Sequence, residues 1–167
     1  FVMPIEEFGG VNHILLSSVD ETLIQHEKEF NLGIRSYGKV YEPRGHKYIV
    51  DFQFDKECTI EYRVGGMIFR KSMIFVKGKE QLLIKYTLVQ AHSQTSLRLK
   101  PFLAFREVHT LTQQNPTADT NYGIVDNGCS YKMYEGFPTL HMQLNKDAEY
   151  FHNPDWYKDV VYSDEQR

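Results

Sequence analysis

The sequence predicts an all-β fold, an antiparallel β-sandwich with little or no helix. The chain of 167 residues contains 11 Tyr and 11 Phe but only 6 Pro, a composition that suits strands better than helices. Short apolar and polar alternations recur, and no apolar pattern of helical period persists. Glycine, asparagine and aspartate turns separate these segments. Roughly ten short strands joined by hairpins therefore predict two packed antiparallel sheets.

The first third of the chain is expected to form short strands and a long connection. Residues 12–23 alternate and predict two short strands or one bent strand, with a bulge at Ser17 and Ser18. Residues 26–48 are polar and rich in turn residues, so we expect a loop with short extended pieces. Residues 48–54 alternate again and predict a strand.

The middle of the chain carries the clearest hairpin. Residues 59–64 and 67–76 read as strands, and Gly65-Gly66 supplies the positive φ angles that a two-residue turn requires. A second turn at residues 77–80 leads to a strand over residues 82–89. Both faces of that strand are largely apolar, so we expect it to lie in the centre of a sheet.

The stretch from Ser96 to Asn115 begins as an alternating strand and ends as a polar loop. Pro101 cannot donate to a sheet ladder, so the strand is expected to be an edge there or to bulge. The strand ends in Arg106, Glu107 and His109, which either face solvent or bind a polar ligand. The apolar face is Leu97, Leu99, Leu103 and Phe105, and the cationic face is Arg98, Lys100 and Arg106.

The last third predicts a further hairpin and two weaker strands. Asn127-Gly128 is the strongest short hairpin signal available, and residues 122–125 and 129–134 flank it. Residues 140–144 alternate, and residues 149–151 could pair back on them after a turn. The tail after His152 has no clear period and ends in a charged cluster that could open a further element.

Composition excludes several classes of partner. A net charge of -3 provides no basic field for nucleic acid or an anionic membrane. No apolar run approaches the roughly 20 residues of a bilayer span, and no signal peptide is recognisable. Cys58 and Cys129 fit no metal or disulfide spacing, which favours buried thiols in a reducing, cytoplasmic compartment. The length suits one domain, residues 1–167. Because Phe1 is no natural initiator, we expect a piece of a longer polypeptide.

Constellations that would carry chemistry are weak. The seven histidines lack the close spacings of a metal-ligand pair, so we expect no metal and no cofactor. Neither a nucleophile elbow nor a phosphate-binding glycine loop is present. Glycoside hydrolysis needs two carboxyl groups across a cleft, and Asp20, Glu21 and Glu107 are the available candidates. Among 22 acidic residues such neighbours are expected by chance, so no catalytic residue is assigned.

Two groups of residues are candidates for binding a sugar. Arg106 and His109 could donate to hydroxyl groups beside Glu107, and arginine suits vicinal oxygens because its fork is rigid. The alternative is that Arg106 pairs with an acid such as Glu107 or Asp51 and joins two strands. Trp156 and Tyr157 could form a flat platform for a pyranose ring. A capping role at the end of the core is equally consistent with the sequence.

Four segments, read together, resemble the N-terminal domain of the bacterial and archaeal type of glycogen debranching enzyme. The third segment is the most specific and the second follows it closely. The segments are LSSVDETL (residues 16–23), YRVGGMIFRKSMIF (62–75), LRLKPFLAFREVHTLT (97–112) and WYKDVVYSDEQR (156–167).

The resemblance implies a β-supersandwich that precedes an (α/α) toroidal catalytic domain, absent here. The whole enzyme would act as an amylo-α-1,6-glucosidase on branch points of glycogen and related α-glucans, with its catalytic acids in the toroid. The chain is then a non-catalytic domain that supports the catalytic domain and helps to bind glucan, and by itself is inactive. Two alternatives are a stand-alone carbohydrate-binding module and a purely structural docking domain that could self-associate.

Overall fold

The computed structural model describes residues 1–162. Within them the chain forms thirteen β-strands, two short 3-10 turns at Glu6–Phe8 and Gly45–Tyr48, and no α-helix. The expectation of an antiparallel all-β fold with little or no helix is confirmed. The strands are β1 (Val2–Ile5), β2 (Val11–Gln25), β3 (Lys28–Asn31), β4 (Ile34–Tyr37), β5 (Val40–Arg44), β6 (Ile49–Phe54), β7 (Cys58–Val64), β8 (Met67–Phe75), β9 (Leu82–Gln90), β10 (Ser96–Glu107), β11 (Gly123–Val125), β12 (Gly128–Tyr131) and β13 (Leu140–Gln143).

The described chain divides into two compact units, and strands β2 and β10 supply residues to both. Unit 1 consists of Phe1–Ser17 and Leu103–Asp159, and unit 2 of Ser18–Phe102 with residues 160–162. Each unit has its own buried apolar cluster. The cluster of unit 1 contains Ile5, Leu15, Phe105 and Tyr131. The cluster of unit 2 contains Leu23, Leu32, Tyr62, Val64, Met67 and Phe69. The prediction of a single sandwich domain stays a prediction.

Unit 2 is built on an antiparallel sheet in the order β6-β7-β8-β9. The expected hairpin between β7 and β8 is confirmed: Val64 pairs with Met67 across Gly65 and Gly66, whose φ angles are 57° and 79°. Glycine is favoured at both positions because other residues rarely adopt a positive φ. The connection at residues 26–48 contains the short strands β3, β4 and β5, as expected.

One expectation about this sheet is wrong. Strand β9 lies at the end of the sheet order and not in its centre. Its apolar residues on both faces suggested a central strand, yet Leu83, Leu88 and Val89 are 49%, 43% and 46% exposed. Apolar side chains on two faces of a strand therefore did not indicate burial here.

Strand β10 is an edge strand, as Pro101 predicts. The sheet order is β1-β2-β10, with β3 also paired to β2, so β10 has one sheet neighbour. Near its end Phe105 adopts a positive φ of 44° and is only 2% exposed. Strand β2 is a single strand of 15 residues, the second of the two alternatives that its sequence left open, and Ser17 and Ser18 are exposed within it.

Unit 1 contains a three-stranded sheet in the order β11-β12-β13. The predicted hairpin is present, but its turn is shifted by one residue. Val125 pairs with Gly128, so Asp126 and Asn127 form the turn, and Asn127 has the positive φ of 52°. Gly128 instead allows close approach, because a Cβ atom there would lie 2.0 Å from the carbonyl oxygen of Met142.

The end of the chain departs from the expectation in one place. Residues 140–143 form β13, but residues 149–151 form no strand. The fourth segment that carries the resemblance ends in a charged cluster that could open a further element. This cluster lies outside the described residues. Over residues 1–162 no helix is long and apolar enough to span a membrane.

Candidate functional site

Arg106 lies at the end of β10, where the positive φ of Phe105 redirects the chain. The residue is only 8% exposed. Its Nη1 atom donates to the carbonyl oxygens of Glu107, at 3.1 Å, and Val108, at 3.2 Å, and also to that of Thr110. The guanidinium therefore stabilises the loop that follows β10. The role of Arg106 in binding a ligand stays a prediction.

Glu107 and His109 flank this arginine in the same loop. Glu107 is half-buried and His109 is exposed. The loop is closed by hydrogen bonds in which the backbone N–H and the hydroxyl of Thr110 both donate to the carbonyl oxygen of Glu107, at 3.2 Å. The backbone N–H of Val108 donates to the carbonyl oxygen of Asn12 at 3.1 Å. The loop is thus held in one shape, and the sugar-binding role of Glu107 and His109 stays a prediction.

Trp156 and Tyr157 lie in an irregular segment of unit 1 and are half-buried. The backbone N–H of Trp156 donates to Oδ1 of Asp155 at 2.8 Å. The role of Trp156 and Tyr157 in glucan binding stays a prediction.

The carboxylate of Asp20 is buried in unit 2 and already has a cationic partner. Arg35 donates to it through two hydrogen bonds, of 2.5 and 2.7 Å, and both side chains are less than 10% exposed. The guanidinium carbon of Arg35 also lies 4.9 Å from the centroid of the Phe102 ring. Such a bidentate pair is geometrically specific. Asp20 is therefore engaged in a structural ion pair.

The neighbouring Glu21 is also buried and paired. Lys71 approaches Oε1 of Glu21 to 2.6 Å, and the Tyr86 hydroxyl donates to the same oxygen at 2.7 Å. Burial, followed by the charge of Glu21, raises the pKa of Tyr86 and raises that of Tyr62 to about 12. Both phenols are therefore neutral at physiological pH. Carboxylates bound in this way lack the open access to substrate that an acid and nucleophile pair needs.

The sequence did not reveal how burial changes along the face of the β6–β9 sheet that carries Tyr62 and Phe69. Cross-strand partners share a face, so Tyr62 and Phe69 at one end face the same way as Phe54, Cys58 and Met73 at the other. The first two are buried, at 5% and 3% exposure. At the other end the phenylalanine side chains are exposed and their neighbours are half-buried. We call this end the exposed apolar face; it consists of Phe52, Phe54, Cys58, Met73, Phe75, Leu82 and Ile84.

Three aromatic side chains of unit 1 also form an exposed group that the sequence did not indicate. The ring of Tyr122 lies 4.3 Å from that of Tyr150 and 5.0 Å from that of His152, between centroids. We call these three residues the aromatic surface. Tyr122 is distant in the sequence from Tyr150 and His152, and all three lie in irregular segments, so only the fold shows that they meet.

Metal binding finds no support in the described part of the chain. Among residues 1–162 no cluster of three or more His, Cys, Asp or Glu side chains is arranged to hold a metal ion.

The comparisons with known proteins identify the family. The family model described as glycogen debranching enzyme N terminal matches residues 1–167, the whole chain. The chain belongs to this family. The resemblance seen in the four segments is thereby confirmed. Searches of curated proteins and of solved structures found no match. In this glycogen debranching enzyme N-terminal domain, both the exposed apolar face and the aromatic surface are accessible to solvent.

Proposed function

We propose that this domain is a non-catalytic support for the catalytic domain of a glycogen debranching enzyme, which hydrolyses α-1,6 branch points. The observation that carries the proposal is the exposed apolar face. Phe52, Phe54 and Phe75 are 60%, 76% and 62% exposed on it. Three phenylalanines gathered on one face of a sheet are typical of a surface that meets a protein partner.

The opposite face of the same sheet is built differently. Glu61 and Arg70 form an ion pair there at 2.8 Å, and the hydroxyls of Thr59 and Ser72 are hydrogen-bonded at 2.9 Å. A sheet with one apolar and one polar face normally covers its apolar face. In this domain the apolar side chains of that face are buried near the β7–β8 turn and become exposed at the end of the sheet that carries Phe54. Because the chain belongs to this family, we propose that the catalytic domain covers the part of the face that is still exposed.

The proposal that this chain is non-catalytic is supported by the buried carboxylates. The acids that the sequence put forward inside unit 2, Asp20 and Glu21, are bound to Arg35 and to Lys71. The catalytic acids are expected in another domain of the enzyme. We therefore expect the isolated chain to release no glucose from a branched α-glucan.

The experiment compares the isolated chain with the intact debranching enzyme encoded by the parent gene. In the isolated chain the double substitution Phe54→Ser and Phe75→Ser should change the free energy of unfolding by no more than about 0.5 kcal/mol, because both rings are exposed. In the intact enzyme it should cost about 3 kcal/mol, because the rings would be buried against the catalytic domain.

The control variant changes the other side of the sheet. Ile74 and Leu83 pair across β8 and β9 on the polar face and are 41% and 49% exposed. Replacing both by serine should have a small effect in the chain and in the enzyme alike. Equal effects of the two double variants in the intact enzyme would refute the docking role.

A second role, contact with the glucan itself, is favoured by the aromatic surface. Exposed tyrosine rings present an apolar face and a polar edge, which suits the C–H face and the hydroxyl groups of a glucose unit. This role would suit either a domain within the enzyme or a stand-alone carbohydrate-binding module. Saturable binding of maltooligosaccharides by the chain tests it.

A further inference from the structure

We propose that a cationic cavity on unit 2 binds an organic phosphate, a phosphate monoester of a sugar or of a nucleoside. The cavity has a volume of about 360 Å³ and lies beside the hairpin of β4 and β5. Its lining consists of Lys39, Val40, Tyr41, Arg44 and His46. The site shares no residue with the exposed apolar face or the aromatic surface, so the inference does not depend on the proposed function.

The charge of the lining favours an anion. Within residues 1–162 the lining includes the cations Lys39 and Arg44 and no Asp or Glu, and His46 adds a ring nitrogen. The whole chain carries a net charge of -3, so this cavity departs in sign from the rest of the molecule. A concave surface lined by charges of one sign concentrates the field and attracts ligands of the opposite sign.

Glu42 is a carboxylate that contacts one of these cations. Its Oε2 atom lies 3.8 Å from Nε of Arg44, and the two side chains are 67% and 64% exposed. An exposed pair of this kind contributes little, because water screens both charges. The contact is made through Nε, and a guanidinium carries further donors on its two Nη atoms. Arg44 therefore keeps donors for a bidentate contact with a phosphate group.

The turn that carries Arg44 and His46 is fixed to the core of unit 2. Gly45, which lies between them, is buried, and its backbone N–H donates to the carbonyl oxygen of Gly33 at 2.8 Å. A Cβ atom at Gly45 would lie 2.1 Å from the carbonyl oxygen of Leu32, a residue of the buried cluster. The backbone that presents both side chains is thus held in place, which lowers the cost of ordering the site around a ligand.

The other polar side chains of the lining come from the β4–β5 hairpin. Tyr37 pairs with Val40 across its turn, and Gly38 adopts a positive φ of 76° there. Lys39 therefore lies at the turn, and Tyr41 lies in β5. The two cations come from two different turns that the fold brings to one cavity, and not from a run of charges along the chain.

The size and the apolar part of the lining favour an organic phosphate over the inorganic ion. Sites for small organic molecules have volumes of roughly 300 to 1,000 Å³, and a phosphate ion alone fills only a small part of this cavity. Val40 and Tyr41 are 54% and 52% exposed and offer an apolar surface and an aromatic ring to a sugar or a base. Arg44 and Lys39 would then hold the phosphate group.

The test is calorimetric titration of the chain with glucose 1-phosphate and with AMP, at constant ionic strength. Arg44→Ala and Lys39→Ala should each weaken binding about tenfold or more, because each removes a charge-assisted hydrogen bond. The matched control is Arg63→Ala, which removes an exposed cation of β7 in the same unit and should leave binding within twofold. Thermal unfolding of each variant checks its fold.

A further variant identifies the organic part of the ligand. Tyr41→Ala should weaken binding of the preferred ester about fivefold and leave binding of inorganic phosphate within twofold, because only an organic ligand reaches the ring. Tighter binding of glucose 1-phosphate assigns a sugar phosphate, and tighter binding of AMP assigns a nucleotide. Equal affinity for inorganic phosphate and both esters would contradict the role of Tyr41.

Two results would refute the site itself. Equal losses of affinity in Arg44→Ala, Lys39→Ala and Arg63→Ala would show that anions respond only to the overall charge of the chain. No saturable binding of either ester at millimolar concentration would exclude the site altogether. Both results leave the docking role untouched, since that role is tested through Phe54 and Phe75.

Discussion

Two buried arginines, one in each unit, show two ways of burying a positive charge. Arg35 in unit 2 and Arg106 in unit 1 are each 8% exposed. Arg35 is neutralised by the carboxylate of Asp20, whereas Arg106 donates to carbonyl oxygens of its own loop. The first pair joins two strands, and the second fixes the shape of one loop. An arginine that is buried in the fold therefore need not belong to a ligand-binding site.

The largest expected effect breaks the buried pair. Arg35→Ala leaves the Asp20 carboxylate buried without its bidentate partner, so it should lower the free energy of unfolding by about 3 to 5 kcal/mol. The matched control is Arg98→Ala, which removes an equally bidentate pair with Glu29. That pair is about half exposed, at 52% and 53%, so the control should cost less than about 1 kcal/mol. Urea unfolding measures both, and equal costs would contradict the assignment of Arg35.

A second substitution tests whether the other buried pair is needed as a pair. Lys71→Met should cost about 3 kcal/mol, because Glu21 keeps its burial and loses its cation. The double variant Glu21→Gln with Lys71→Met should recover most of that loss, since glutamine still accepts from Tyr86 and no buried charge remains. A double variant as unstable as Lys71→Met would show that the charges themselves stabilise unit 2.

Arg106→Ala tests the hydrogen bonds that this arginine donates to the carbonyl oxygens of its own loop. The substitution leaves carbonyl groups of the loop without this donor, so about 1 to 3 kcal/mol is expected, less than for Arg35→Ala. Hydrogen exchange should rise at residues 107–110 in this variant, because their loop loses its central donor. If exchange there does not change, Arg106 does not hold the loop.

The smallest effect at neutral pH concerns Tyr62, whose pKa burial raises to about 12. Because this value lies above the ordinary value of 10.0, the folded state holds the phenolic proton more tightly. The resulting stabilisation is complete below about pH 10 and is lost as the pH rises toward about 12. Tyr62→Phe should therefore flatten the alkaline fall in stability, measured by urea unfolding at several pH values. An unchanged slope would contradict the assignment.

The sequence predicted local structure better than burial for a physical reason. Alternation and glycine turns act locally, so strands β6 to β9 and the turn at Gly65 were predictable. Burial depends on distant residues. Asp20 and Glu21 are consecutive in β2 and both buried, so the strand is covered on both faces there, which alternation does not reveal. Because burial depends on distant residues, the prediction that β9 lies in the centre of its sheet was also wrong.

The candidate site shows the limit of sequence reasoning more strongly. Arg106 was a candidate ligand contact, which stays a prediction, and the positive φ of Phe105 beside it has no signal in the sequence. The aromatic surface joins residues 122, 150 and 152 through irregular segments. The exposed apolar face has the same alternation as the buried half of its sheet, and only the fold shows where the cover ends.

The most direct test of the central claim uses Cys58, which lies on the exposed apolar face. Cys58 pairs with Phe54 and Met73 across the sheet, and its thiol is free and half-buried. Cys129, in unit 1, provides an internal reference. The rate of thiol labelling of Cys58, relative to Cys129, should fall about tenfold or more from the isolated chain to the intact debranching enzyme, because the catalytic domain covers the face. An equal relative rate in both would contradict the proposal that this face docks the catalytic domain.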